Sequence, residues 1–231
     1  MKTIRTFVII GLILLLGLTG CADNNKNRGM NPFKIALPNS QDLITNKPKL
    51  VGGRCEGCEA VFEYGDQILS SVDTLPDFNE QGLKIKVTGA IYLNDGKTPA
   101  KDVILYVYHT DQKGLYSTKK GETGWGKRHG YNRGWIKTDN SGKYEFYTLK
   151  PGVYPDRSTP AHIHPTILEP NGKYYWLESY LFEGDSLLTD REINPNSPRG
   201  GSSGLLNLKR EGNLWVGTRD IILGKNIPSY D

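Results

Sequence analysis

Beyond residue 82 the apolar positions recur at every second residue. In LKIKVTGAIYL, Leu83 to Leu93, the side chains of Leu83, Ile85, Val87, Ile91 and Leu93 share one face of an extended chain. DVILYVYHT, KYEFYTL, AHIHPTIL, KYYWLESYLF and LWVGTRDIIL are further short runs rich in Val, Ile, Thr and aromatics. Between them stand NDGK, DNSGK and PNGK, which supply turn residues able to adopt φ > 0. No comparable helical period follows the first twenty residues, and there is no internal repeat. The pattern predicts an all-β fold, an antiparallel β-sandwich with little helix. Residues 119–133, rich in Gly, Lys and Arg, and residues 194–204, NPNSPRGGSSG, carry no strand pattern and read as long loops.

The beginning of the chain follows a different rule. Lys2 and Arg5 precede an apolar run from Phe7 to Leu18, which is short for a span of about 20 apolar residues. Cations, apolar run and small residues in that order predict an export signal. LTGC, Leu18 to Cys21, resembles the lipobox of bacterial lipoproteins, in which the cysteine is lipidated after cleavage. The resulting organisation is a signal peptide at 1–20, a flexible polar tether from lipidated Cys21 through residue 49, and one folded domain at 50–231. This places the protein in the bacterial cell envelope, exported and held to the membrane through a lipid anchor.

Charge narrows the partners. The formal net charge is only +4 and no basic stripe is interleaved with aromatics, so nucleic acid is not an expected partner. The sequence leaves the oligomeric state open, a homo-oligomer included. Of the three cysteines, Cys55 and Cys58 remain after Cys21, in C-x-x-C spacing. One such pair cannot build a four-sulfur zinc site, and no βαβ pattern surrounds it. A local disulfide is the expected state in an exported chain.

The chemistry concentrates in YPDRSTPAHIHP, Tyr154 to Pro165. On a strand, His162 and His164 point to the same side and can reach one metal ion. Only two other histidines exist, His109 and His129, whereas tyrosines number thirteen. Phenolate is a hard anionic ligand that favours a trivalent ion. Its pKa near 10 means that binding must offset about 4 kcal/mol of deprotonation per tyrosine at neutral pH. A trivalent ion meets that cost.

KYEFYTLKPGVYP running into DRSTPAHIHP resembles the intradiol ring-cleavage dioxygenases, with their PG-x-YP turn and R-PAHIH strand. GAIYLNDGKTPAKDVILYVYHTDQKGLYS resembles the family's strand, turn and strand ending in G-x-YS. RGWIKTDNSGKYEFYTLKPG, YLFEGD and RDIIL continue the likeness, which spans Leu83 to Leu223. The resemblance implies non-haem Fe(III) held by Tyr116, Tyr154, His162 and His164. It implies a small aromatic diol and O2 as substrates, with insertion between the two hydroxyl-bearing carbons and a muconate-type diacid as product. Tyr154 is then also catalytic, leaving the iron and accepting a proton.

The match departs in places. The family's arginine before PAHIH is Thr159 here, so Arg157 is the expected electrostatic residue, with Arg128 and Arg133 as other candidates. Tyr108 stands where relatives commonly carry tryptophan and is expected to pack beneath the site. Pro165 follows His164 and is expected at an edge or bulge. Two other readings stay open: a non-catalytic exported β-sandwich binding module, and a different His/Tyr metal enzyme, such as a zinc hydrolase.

Overall fold

The computed structural model describes residues 47–231. The signal peptide, Cys21 and most of the tether lie outside the described residues. In chain order the strands are β1 (Lys49–Leu50), β2 (Val72–Thr74), β3 (Lys84–Tyr92), β4 (Ile104–His109), β5 (Arg133–Lys137), β6 (Lys143–Leu149) and β7 (His162–Leu168). They continue with β8 (Lys173–Trp176), β9 (Tyr180–Phe182), β10 (Leu205–Leu206), β11 (Lys209–Glu211), β12 (Leu214–Thr218) and β13 (Ile221–Ile222). Two one-turn helices, α1 (Gly126–His129) and α2 (Asp190–Ile193), lie in loops.

The strands form two sheets. One has the order β1-β8-β7-β4-β5, with β9 on β7 and β10 on β9; the other has the order β11-β12-β3-β6-β2, with β13 on β3. The long ladders β3–β6, β4–β7 and β4–β5 are antiparallel although each joins strands well separated along the chain, while β7 and β8 form a hairpin across the PNGK turn. Parallel pairs join the short flanking strands, β1 to β8, β2 to β6, β10 to β9, and β12 and β13 to β3. The sandwich is therefore mixed at its margins, because these strands return by long connections that no turn signal encodes.

The period-two pattern sets the layers. Ile85, Val87 and Ile91 of β3, Phe146 of β6, Leu105 and Val107 of β4, and Ile163 and Ile167 of β7 fill the core between the sheets. The other face of β4 is buried as well. Ile104 and Tyr106 join Trp135, Leu168, Ala60, Val61 and Tyr64 in a second apolar layer, beneath a 3-10 turn at Cys58–Phe62. Residues 54–64 thus cover the outer face of the first sheet, which explains why β4 reads as a nearly continuous apolar run.

Candidate metal centre

His162 and His164 project onto that outer face, because Ile163 and Ile167 of the same strand enter the core. His162 is buried. Its Nδ1–H donates to the Pro160 carbonyl at 2.7 Å, which leaves the Nε2 lone pair free. Burial lowers the pKa of both rings, and for His164 the neighbouring His162 lowers it further. Both are neutral, as ligation requires. Pro165 sits opposite Val107 within β7 rather than at a sheet edge. Its carbonyl accepts from Leu177 N at 3.1 Å, so its missing N–H faces the gap where β8 ends and β9 has not begun. That gap, Leu177 to Ser179, is a wall of the site.

The two tyrosines come from loops that touch through glycine. Gly114 has φ +76°, and a Cβ on it would overlap the Val153 carbonyl oxygen and lie 3.1 Å from the Tyr154 Cα. A Cβ on Gly152 would meet Gln112 O at 2.7 Å and Gly114 N at 2.8 Å. The glycines of G-x-YS and PG-x-YP are thus the contact surface between the tyrosine-bearing segments. Asp111 ties the first loop. Its carboxylate accepts from Lys113 N at 2.8 Å, Leu115 N at 3.1 Å and Ser117 Oγ at 2.6 Å. Burial raises the Tyr116 pKa, and its hydrogen bond with Tyr154 raises it further, so the free phenol is protonated.

The four predicted ligands come together. Tyr116 Oη lies 2.9 Å from Tyr154 Oη and 2.9 Å from His164 Nε2. Tyr154 Oη lies 3.4 Å from His162 Nε2, and the two Nε2 atoms are 2.9 Å apart. Two metal–ligand bonds of about 2.0–2.1 Å meeting at right angles span about 2.9 Å, so one ion amid the four atoms reaches all of them. Among the described residues no group of three or more His, Cys, Asp or Glu forms a metal cluster, so the tyrosines complete the donor set. Two imidazoles and two phenols fit a hard trivalent ion.

Two cavities meet at His164 and Trp176. One, of about 580 Å³, is lined by Tyr108, Tyr116, Tyr154, Arg54 and Arg128. The other, of about 890 Å³, is lined by His162 and by Asp190 and Glu192 of α2. Arg157 does not take the place expected for it. It is exposed, with φ 53°, where its N–H closes a turn onto Tyr154 O at 2.8 Å, and it lines neither cavity. The turn between Pro155 and Pro160 is not extended, so the two-residue offset turns Arg157 outward. Arg133 is occupied as well, bonded to Glu63 at 2.6 Å. The cations at the first cavity are Arg128, ion-paired with Glu56, and Arg54; Arg191 of α2 lines the second, and sequence reasoning missed both Arg54 and Arg191. Arg54 sits beside Cys55, and Cys55 and Cys58 are joined by a disulfide. Trp176 Nε1–H donates to the Arg54 carbonyl at 3.2 Å and fixes this loop over the site.

The family profile described as "Dioxygenase" matches residues 63–200, more than half of the chain. The chain belongs to the intradiol ring-cleavage dioxygenase family. Catechol 1,2-dioxygenase 1 of Acinetobacter lwoffii is 30% identical over 172 residues, covering 67% of this chain and 52% of that one. The protocatechuate 3,4-dioxygenase beta chain of Burkholderia cepacia is 29% identical over 126 residues, 51% of this chain and 52% of that one. The chain thus spans about half the length of these curated relatives. Among solved structures, the dioxygenase domain of a carbohydrate-binding fusion from Streptomyces sp. SirexAA-E is 22% identical, with a TM-score of 0.49, over 69% of this chain and 94% of that one.

Proposed function

We propose that this protein is a non-haem Fe(III) dioxygenase that opens a catechol-type ring between its two hydroxyl-bearing carbons, giving a muconate-type diacid. The observation that carries the reading is the closed set of two tyrosine oxygens and two imidazole nitrogens, each within 2.9–3.4 Å of the next. Tyr116, Tyr154, His162 and His164 would hold ferric iron there, and it would supply the Lewis acidity that makes a catecholate reactive toward dioxygen.

The protein's own groups do the rest. His162, locked by Pro160, and Tyr116, anchored behind Gly114, form the fixed side of the site. Tyr154, whose carbonyl opens the turn to Arg157, is the residue assigned to accept a substrate proton. Arg54 and Arg128 border the cavity where negative charge develops on the ring.

Export and lipid anchoring at Cys21 belong to the same proposal. The Cys55–Cys58 disulfide supports an oxidising compartment. Loss of labelled fatty-acid incorporation in Cys21→Ala tests the anchor.

The decisive experiment is spectroscopic and catalytic. The iron-loaded protein is expected to be red-brown through phenolate-to-iron charge transfer, with Tyr116→Phe and Tyr154→Phe shifting or bleaching the band. Oxygen uptake on a catechol panel should yield ring-opened diacids. A colourless iron-loaded protein, or zinc as the purified metal with no oxygen uptake, overturns the proposal.

A further inference from the structure

We infer that Tyr108 and His129 are positioning residues that set the ring of His164, and that the disulfide-closed loop clamps the outer end of their stack. The inference rests on reading His164 as a metal ligand.

The two histidines are held differently. His162 is fixed by its hydrogen bond to Pro160 O, the usual way of orienting a ligating imidazole. The Nδ1 of His164 has no hydrogen-bond partner among the described residues, whose bonds to this ring all reach Nε2. What holds the ring is a stack. Tyr108 and His164 are direct cross-strand partners on β4 and β7, so the sheet register brings them face to face. Their centroids are 4.6 Å apart and their planes 19° apart.

The stack continues away from the site. The His129 ring lies 3.7 Å from Tyr108 with an interplanar angle of 4°, and Trp125 lies 5.3 Å beyond His129 at 29°. His129 and His164 make no ring contact with each other, so they flank Tyr108 on opposite faces. His129 is fixed in turn by Tyr106 Oη, 2.8 Å from its Nδ1. Burial, together with the Arg133 guanidinium, holds its pKa down at about 4, so it stacks as a neutral ring.

The loop closes the outer end. Gly57, between the two cysteines, has φ +82°, and a Cβ there would lie 2.6 Å from His129 Cε1 and 3.1 Å from Trp125 Cε3. The backbone of the Cys55–Cys58 loop is therefore seated on the edge of His129, and the disulfide fixes that seat. A continuous path of packed rings runs from the disulfide to a metal ligand.

Tyr108→Phe, Tyr108→Leu and His129→Leu test this, with two readouts. In metal-free protein labelled at histidine, the His164 Hε1 resonance should carry a ring-current shift from Tyr108. Tyr108→Phe should keep it, Tyr108→Leu should lose it, and His129→Leu should move it. In iron-loaded protein, chelator-driven iron release should accelerate about tenfold in Tyr108→Leu, several-fold in His129→Leu, and less than twofold in Tyr108→Phe. If Tyr108→Leu does not fold, His129→Leu decides. Wild-type resonance and release in the leucine variants, or equal effects of Phe and Leu at position 108, overturn the inference. A wild type that binds no iron defeats the function proposed above, while the resonance readout still decides the stack.

Discussion

Gly114→Ala separates the role of a motif glycine from that of a flexible loop. The residue has φ +76°, where an L side chain costs about 1–2 kcal/mol. Its new Cβ would overlap the Val153 carbonyl and press on the Tyr154 Cα. Backbone atoms cannot rotate away, so overpacking adds about 1–3 kcal/mol. The sum, about 2–5 kcal/mol, lowers Tm by about 4–20 °C in a domain of this size. The control is Gly121→Ala: φ is +97° and no atom lies within 4 Å of a built Cβ, so only the conformational cost applies. The difference between the variants isolates the contact. The functional effect is expected to be larger than the thermal one. Gly114 lets the loops bearing Tyr116 and Tyr154 meet, and the two tyrosine oxygens are 2.9 Å apart. A displacement of an ångström at a reacting centre costs about 10²-fold in rate. Thermal denaturation, the visible spectrum and oxygen uptake together read the result. Equal Tm values for the two variants, or an unchanged spectrum in Gly114→Ala, would refute the reasoning.

Other consequences follow from single groups. Arg157→Gln should leave kcat/KM within about twofold, since the residue is exposed and outside both cavities, whereas Arg54→Gln should lower it about tenfold for a carboxylate-bearing catechol, the loss of one charged hydrogen bond. Burial pulls the Asp111 carboxyl up, but bonds from Ser117, Leu115 and Lys113 outweigh it and hold the pKa below its ordinary value. Its stabilisation is therefore complete above the unfolded pKa, near 3.9, and is lost as pH falls through the lower folded value. Amide exchange across residues 111–117 should accelerate below about pH 4, and Asp111→Ala should remove that dependence. Cys55→Ser with Cys58→Ser should cost only about 2 kcal/mol by denaturant titration, because the cysteines are three residues apart and close a short loop.

The fold was legible where side chains alternate. Ile85, Val87 and Ile91 announced β3 and its inward face, and NDGK, DNSGK and PNGK announced the turns, of which PNGK closes the β7–β8 hairpin while the other two carry the chain from one sheet to the other. The parallel pairings were not legible, since β2, β12 and β13 reach their partners through connections whose direction no local signal specifies. The 3-10 turn at Cys58–Phe62 was equally silent. One turn is too short to show a period, and its Ala60 and Val61 are buried only because the outer face of β4 is apolar.

The site divides along the same line. Its four converging groups stood in short motifs whose glycines and prolines have a physical purpose, namely close backbone approach at Gly114 and Gly152 and a fixed carbonyl at Pro160. Such purposes constrain nearby residues, so they leave a local trace. Arg54, Trp176 and His129 left none, because each reaches the site through a contact between distant segments: Trp176 with Arg54 across 122 residues, and His129 against Tyr108 and Gly57. Arg157 shows the reverse error. It lay close to the motif in sequence, yet a turn with φ 53° sends it to solvent. Proximity along the chain predicts position only where the backbone is extended, and between Pro155 and Pro160 it is not. The cations that line the two cavities, Arg54, Arg128 and Arg191, come from segments distant from the motif, and substitution of Arg54 tests whether the disulfide loop supplies one for recognition rather than ring opening.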